Sequence, residues 1–96
     1  MKVFVVSTHY ESYDDGSTTT INGVRSSLES AQKLMKECFE YEKKANFDYG
    51  SKIEVYDKSC SIYDKHDSYH YCFVEITECE LDDWQINLNV WTALHQ

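Results

Sequence analysis

The chain has no proline and only three glycines. A glycine-rich loop that cradles phosphate therefore cannot be built, and P-loop and dinucleotide-binding architectures are excluded. Long apolar runs are missing as well. The longest near the start is Val3–Val6, far too short for a signal peptide or a membrane span. Without an export signal, the four cysteines are expected to stay reduced in a cytoplasm. Positive charge is also scarce: nine basic residues face seventeen acids, for a net charge of −8. Direct binding to nucleic acid or to an anionic membrane needs a basic surface, so both are disfavoured.

What is present is globular. Residues 1–96 are read as one domain, 42% hydrophobic and 15% aromatic, with eight tyrosines. Charge is unevenly spread. The stretch Ser27–Ala45 holds four lysines and four acids and is balanced, so the rest of the chain carries the whole deficit. The sharpest cluster is "EITECELDD", with Glu75, Glu78, Glu80, Asp82 and Asp83 and no base. Solubility is the plain explanation for such a run; a basic partner, or mimicry of a polyanion, is the functional one.

Secondary structure follows from periodicity. "KVFVVSTHY" (2–10) is apolar on both faces from Val3 to Val6, as a central strand is. "ESYDDGS" (11–17) turns at Asp15-Gly16, and "TTTINGV" (18–24) returns, with Asn22-Gly23 placed to bulge or end it. A helix is predicted over about 27–45. Ser26 and Glu29 fit a capping box, and Leu28, Ala31, Leu34, Met35, Cys38, Phe39 and Ala45 form one apolar stripe. Glu29–Lys33 and Glu40–Lys44 are spaced as ion pairs on its wet side. "KIEVYDK" (52–58) alternates, but Cys60 and Ile62 fall on the other parity, so a bulge or break is expected at Asp57–Ser59. "YHYCFVEITECEL" (69–81) is a long strand with a second irregularity expected near Thr77. "WQINLNVW" (84–91) alternates cleanly as a last strand. The order β-β-α-β-β-β with short connections predicts an α+β fold, a mainly antiparallel sheet of about five strands with one amphipathic helix on one face. One helix covers only part of one face, so the other must be polar or meet something else.

Three segments carry a resemblance. "KVFVVSTHYE", "GVRSSLESAQKLMKE" and "VEITECELD", spanning roughly residues 2–83, resemble a pattern in small uncharacterised domains of phage and bacterial genomes. Arg25 stands where that pattern more often has an aromatic, and 84–96 lies outside it. The resemblance implies a fold and a phage-like origin, hence a host cytoplasm. It carries over no catalytic residue.

Chemistry-bearing side chains concentrate in "CSIYDKHDSYHYC" (60–72). Cys60, His66, His70 and Cys72 suit zinc as donors, but a hairpin turn at 64–68 sets Cys60 roughly opposite Cys72 and leaves His66 at the tip. Four ligands do not converge from there, so no metal and no cofactor are expected. A Cys60–Cys72 disulfide fits that register but not a reducing compartment. Cys60 and Cys72 read instead as small apolar strand residues, His70 as a sheet residue and His66 as a solvated turn residue. Cys38 lies on the buried stripe, and no motif pairs a Cys or Ser with a base, so no enzyme is expected.

The functional expectation is a surface. Tyr and Trp bury area at low entropic cost and keep a polar handle. Tyr56, Tyr63, Tyr69, Tyr71, Trp84 and Trp91 are the candidate aromatic surface, and the acids of 75–83 the candidate acidic one. The leading expectation is a non-enzymatic module that binds a basic protein, most concretely a phage-type inhibitor of a host defence or nucleic-acid enzyme. A homodimer with no catalytic role is second, and a small ligand- or metal-binding protein using the Cys/His hairpin third.

Overall fold

The computed structural model describes residues 1–47, 51–67 and 69–80. Five strands and one helix run in the order β1 (Lys2–Ser12), β2 (Gly16–Arg25), α1 (Leu28–Asn46), β3 (Lys52–Val55), β4 (Ser59–Tyr63) and β5 (Tyr71–Glu80). The strands form one antiparallel sheet in the order β2-β1-β5-β4-β3. This is the α+β arrangement expected, and β1 lies inside the sheet as its two-sided apolar run requires. Among the described residues, no helix is long and apolar enough to cross a membrane.

The strands are not all those predicted. Of the bulge or break expected at Asp57–Ser59, the chain takes the break and turns back as a hairpin: Tyr56 N donates to Ser59 O across 2.7 Å, and Val55 pairs with Cys60. The change of parity marks a reversal of the chain. β5 is unbroken, pairing with β1 from Glu11–Tyr71 to Lys2–Glu80 with no irregularity at Thr77. Cys79 changes parity because it joins a different apolar cluster, not because the strand bulges. The predicted strand 84–91 lies outside the described residues.

Two local devices in β1 and β2 are as the sequence suggests. Gly16 takes a positive φ of 79° and closes the three-residue turn from Ser12, whose hydroxyl accepts from the Asp14 and Asp15 amides. Asn22 bulges from β2, since Val6 faces Gly23 and Ser7 faces Ile21. A Cβ at Gly23 would lie 2.9 Å from Leu34 Cδ2 and 2.9 Å from Arg25 Nη1, so these two flexible side-chain ends would have to move to admit one.

The helix starts one residue later than the predicted box. Ser27 is the N-cap, its Oγ accepting from Ser30 N at 3.2 Å. Two consecutive serines leave that choice ambiguous in sequence. Glu29 then lies in the first turn, where a carboxylate complements the helix dipole. Glu40 pairs with Lys43 at 3.1 Å rather than with Lys44. Ala31, Met35 and Phe39 bury against Phe4 and Val6 of β1, Cys60 and Ile62 of β4, and Cys72, Val74 and Ile76 of β5. Ala45 is exposed, past the end of the covered area. A small second cluster, Val3 and Val24 with Val5 and Cys79 beside them, sits on the other face.

Candidate functional site

Antiparallel register stacks the strands into rows across the face opposite α1. Pairing places Lys52, Tyr63, Tyr71 and Glu11 in one row, and Glu54, Ser61, Phe73, His9 and Thr19 in the next. A third row holds Ser59, Glu75, Ser7 and Ile21. Period-two alternation alone sends these residues away from the helix.

The centre of the face is aromatic. His9 stacks on Phe73 with ring centroids 5.0 Å apart, and Tyr71 lies parallel to Phe73 at 6.3 Å and 6°. His9 is fixed by Thr19, whose Oγ1 is 2.8 Å from Nδ1. Lys52 Nζ sits 5.6 Å from the Tyr63 ring centroid, a cation–π distance. All four rings are partly buried.

Each tyrosine holds a glutamate. The Tyr63 hydroxyl donates to Glu54 Oε1 at 2.7 Å. That bond holds the Glu54 carboxyl below its ordinary range, helped by Lys52, and pushes the Tyr63 phenol up. A hydrogen bond with Glu11 likewise raises the Tyr71 phenol. Glu54 is therefore an oriented, charged acceptor, and Glu11 is a second acceptor beside the aromatic faces. Next to them a hollow of about 520 Å³ is lined by Lys52, Tyr63, Asp64, Lys65 and Tyr71. Carboxylates next to ring faces suit guanidinium and ammonium groups, and the hollow suits an inserted side chain.

The predicted site residues distribute as follows. Tyr63 and Tyr71 come together at this centre. Tyr56 is exposed at the β3–β4 turn. Tyr69 is exposed beside Tyr13, with ring centroids 6.3 Å apart. Glu75 lies on this face, but Glu78 and Glu80 project from the other, since Glu78 stands opposite Phe4. Lys2 Nζ lies 3.8 Å from Glu78, and the N-terminal amine 3.8 Å from Glu80. The run 75–80 is thus split between two faces by strand alternation. Asp82, Asp83, Trp84 and Trp91 lie outside the described residues. His9, Phe73, Glu11 and Glu54 belong to the face but were not singled out in the sequence. Phe73 was findable, two residues from Tyr71 on one strand; His9 was not, because its place depends on pairing between β1 and β5.

The Cys/His stretch is organised differently from expectation. Cys60 faces Val74 and Cys72 faces Ile62, so the two cysteines are diagonal rather than opposite. Diagonal neighbours are about 7–8 Å apart, too far for a disulfide without backbone movement. Both thiols are buried among the core residues, and burial pushes Cys72 up to about 12. His70 precedes β5 and acts as a bracket rather than a sheet residue. It stacks on Phe47 at 4.3 Å, its Nε2 is 3.2 Å from the Tyr10 hydroxyl, and its Nδ1 is 3.6 Å from Asp64 Oδ2. His66 is exposed in the turn. Among the described residues, no group of three or more His, Cys, Asp or Glu side chains could hold a metal ion.

No protein-family model matches the chain, and no curated protein or solved structure is detectably similar to it. The resemblance to small phage and bacterial domains thus finds no counterpart in a matching family, and the class rests on the fold and the face alone. That class is a small α+β sheet with one face covered by a helix and the other carrying an aromatic, carboxylate-bearing surface.

Proposed function

We propose that this chain is a non-enzymatic protein-binding module that presents its open sheet face to a basic partner protein in the cytoplasm. The observation that supports the reading is the paired Tyr63–Glu54 and Tyr71–Glu11 arrangement around His9 and Phe73. Partly desolvated rings supply contact area, and oriented carboxylates select arginine and lysine. A surface that accepts basic side chains competes with nucleic acid for a nucleic-acid enzyme. An inhibitor of a host defence or nucleic-acid enzyme, of phage type, is accordingly the concrete form.

The test uses immobilised protein in a host lysate beside two variants, Tyr71→Ser with Phe73→Ser, and Glu11→Lys with Glu54→Lys. A partner held by the parent at low salt, released at high salt and absent from both variants supports the reading. Each variant is first checked for a native circular-dichroism spectrum. Identical retention by parent and folded variants would place binding elsewhere and end the proposal.

A further inference from the structure

The covered side of the sheet is not apolar throughout. Over β4 and β5 it presents Cys60, Ile62, Cys72, Val74 and Ile76 to the helix. Over β1 and β2, beyond the bulge, it presents Thr8, Tyr10, Thr18, Thr20 and Asn22, which face Tyr41, Glu42 and Asn46 of α1 across a groove of about 320 Å³. An adjoining hollow of about 280 Å³ shares Thr8, Asn22, Tyr41 and Glu42 and runs on to Leu34, Glu37 and Cys38. A sheet that faces a helix ordinarily closes with aliphatic side chains; here it stays polar and open.

The polar groups in this groove are held in place. Thr8 is the one polar residue among the described residues in the buried class, at 6% exposure, and its Oγ1 donates to Asn22 Oδ1 at 2.6 Å. That bond uses the amide oxygen, so the amide NH₂ is the group Asn22 can offer a ligand. The bulge puts Asn22 there, next to the buried threonine. On the helix, Asn46 Nδ2 donates to Glu42 Oε2 at 2.7 Å, which leaves Oε1 as an acceptor. Thr18 and Thr20 add hydroxyls that both donate and accept, and Tyr41, 69% exposed, supplies a ring at the rim.

We propose that this groove between β2 and α1 binds a neutral polyhydroxylated ring, a saccharide of one or two residues. The lining decides the class. None of the side chains around either hollow is basic, which disfavours anions. Glu42, the one acid of the larger groove, is already held by the Asn46 amide, and Glu37 borders only the adjoining hollow; the other polar groups of the groove are neutral, so its lining is mainly uncharged. A sugar both donates and accepts at each hydroxyl, so it matches a lining of mixed donors and acceptors. Its C–H face stacks on an aromatic ring such as Tyr41. The volume, at the low end for ligand sites, limits the size. The open sheet face is not involved, so this site and the protein-binding reading stand or fall separately.

The probes are D-glucose, D-galactose, D-mannose and N-acetylglucosamine, added to ¹⁵N-labelled full-length protein and followed by amide chemical shifts. Putrescine is the cationic control. At least one sugar is expected to give saturable shifts, with a Kd on the order of 1 mM, at the Asn22 side-chain amide and along Thr18–Asn22 and Tyr41–Asn46. Tyr41→Ala, at an exposed position, and Glu42→Gln are each expected to weaken it by about tenfold, with the remaining shifts unchanged. Three results would overturn the assignment. One is the absence of saturable shifts with all four sugars up to about 100 mM. Another is undiminished sugar binding in both variants. The last is saturation by putrescine at these residues while the sugars stay silent.

Discussion

The two faces of β5 differ in kind although one strand makes both. Cys72, Val74 and Ile76 point under α1 and are buried; Tyr71, Phe73 and Glu75 point the other way and stay partly or wholly exposed. β1 repeats the contrast, with Phe4 and Val6 on the helix side against Ser7 and His9 on the open side. The covered face is assembled mostly from short aliphatics and cysteines that fit closely beneath a helix. No described tyrosine is in the buried class: Tyr10 packs only partly against the helix-side core, and Tyr63 and Tyr71 lie on the open face. Rings left on a face that α1 never reaches contribute less to folding than their size suggests; under the proposed function they are the contact surface.

That contrast predicts unequal costs of truncation. Ile62 is 1% exposed and touches the helix-side core, so Ile62→Ala is expected to lose about 2–5 kcal/mol. Phe73→Ala removes a larger side chain but only a cross-strand contact with His9 and a stack with Tyr71, worth about 1 kcal/mol. Urea unfolding of the two variants gives the comparison directly. Equal losses would mean that the open face is a second core, covered by something in the free protein.

The cysteines report the same contrast without perturbing it. Burial raises the thiols of Cys72, Cys60 and Cys38, with Cys72 at about 12, so little thiolate forms at pH 8. Cys79 lies on the open face and is only partly buried. Iodoacetamide under native conditions is expected to modify Cys79 first and to leave Cys60 and Cys72 unmodified until the protein unfolds. Mass spectrometry of a time course identifies the order. Prompt labelling of Cys72 would contradict the burial that defines the covered face.

How much of this was readable beforehand depended on range. Local signals worked: the two-sided apolar run of β1, the turn at Asp15-Gly16, the bulge at Asn22-Gly23, and a helix placed within one residue at each end. Signals failed where a parity change had two explanations. Between Val55 and Cys60 both a bulge and a break fitted, and the break, made as a hairpin, is what forms, in a segment with no Gly, Pro or Asn to decide between them. At Cys79 it meant a second apolar cluster on the opposite face. Five strands were expected and five are described, yet the third predicted strand became two, and the predicted fifth lies outside the described residues. The open-face site was only half legible. Tyr63 and Tyr71 are visible as aromatics, but their alignment with Lys52, Glu11, His9 and Glu54 requires the register of four strands, which no single stretch encodes. The acidic run is continuous in sequence, but strand alternation puts Glu75 on the open face and Glu78 and Glu80 together on the other.

The smallest expected effect is the most specific to the open face. Removing one hydroxyl with Tyr63→Phe keeps the ring and its place beside Lys52 but deletes the bond to Glu54. In the parent, that bond is the main cause holding the Glu54 carboxyl below its ordinary range, with Lys52 contributing less. A carboxyl depressed in the folded state contributes stability above its unfolded pKa and loses it as pH falls through the folded one. The phenol runs the other way. Tyr63 is raised, chiefly by the same bond, so its contribution is whole below its unfolded pKa and is lost as pH rises through the folded one. The pair therefore supports the fold across the middle of the pH range and weakens at both ends. In Tyr63→Phe the Glu54 midpoint, followed by carboxyl ¹³C shifts, is expected to move up toward the ordinary glutamate value while Glu75 on the same face stays where it was. The stability change at neutral pH should be slight, because both groups are solvent-accessible. An unmoved Glu54 midpoint would show that Lys52 orients the carboxylate and that the tyrosine only covers it.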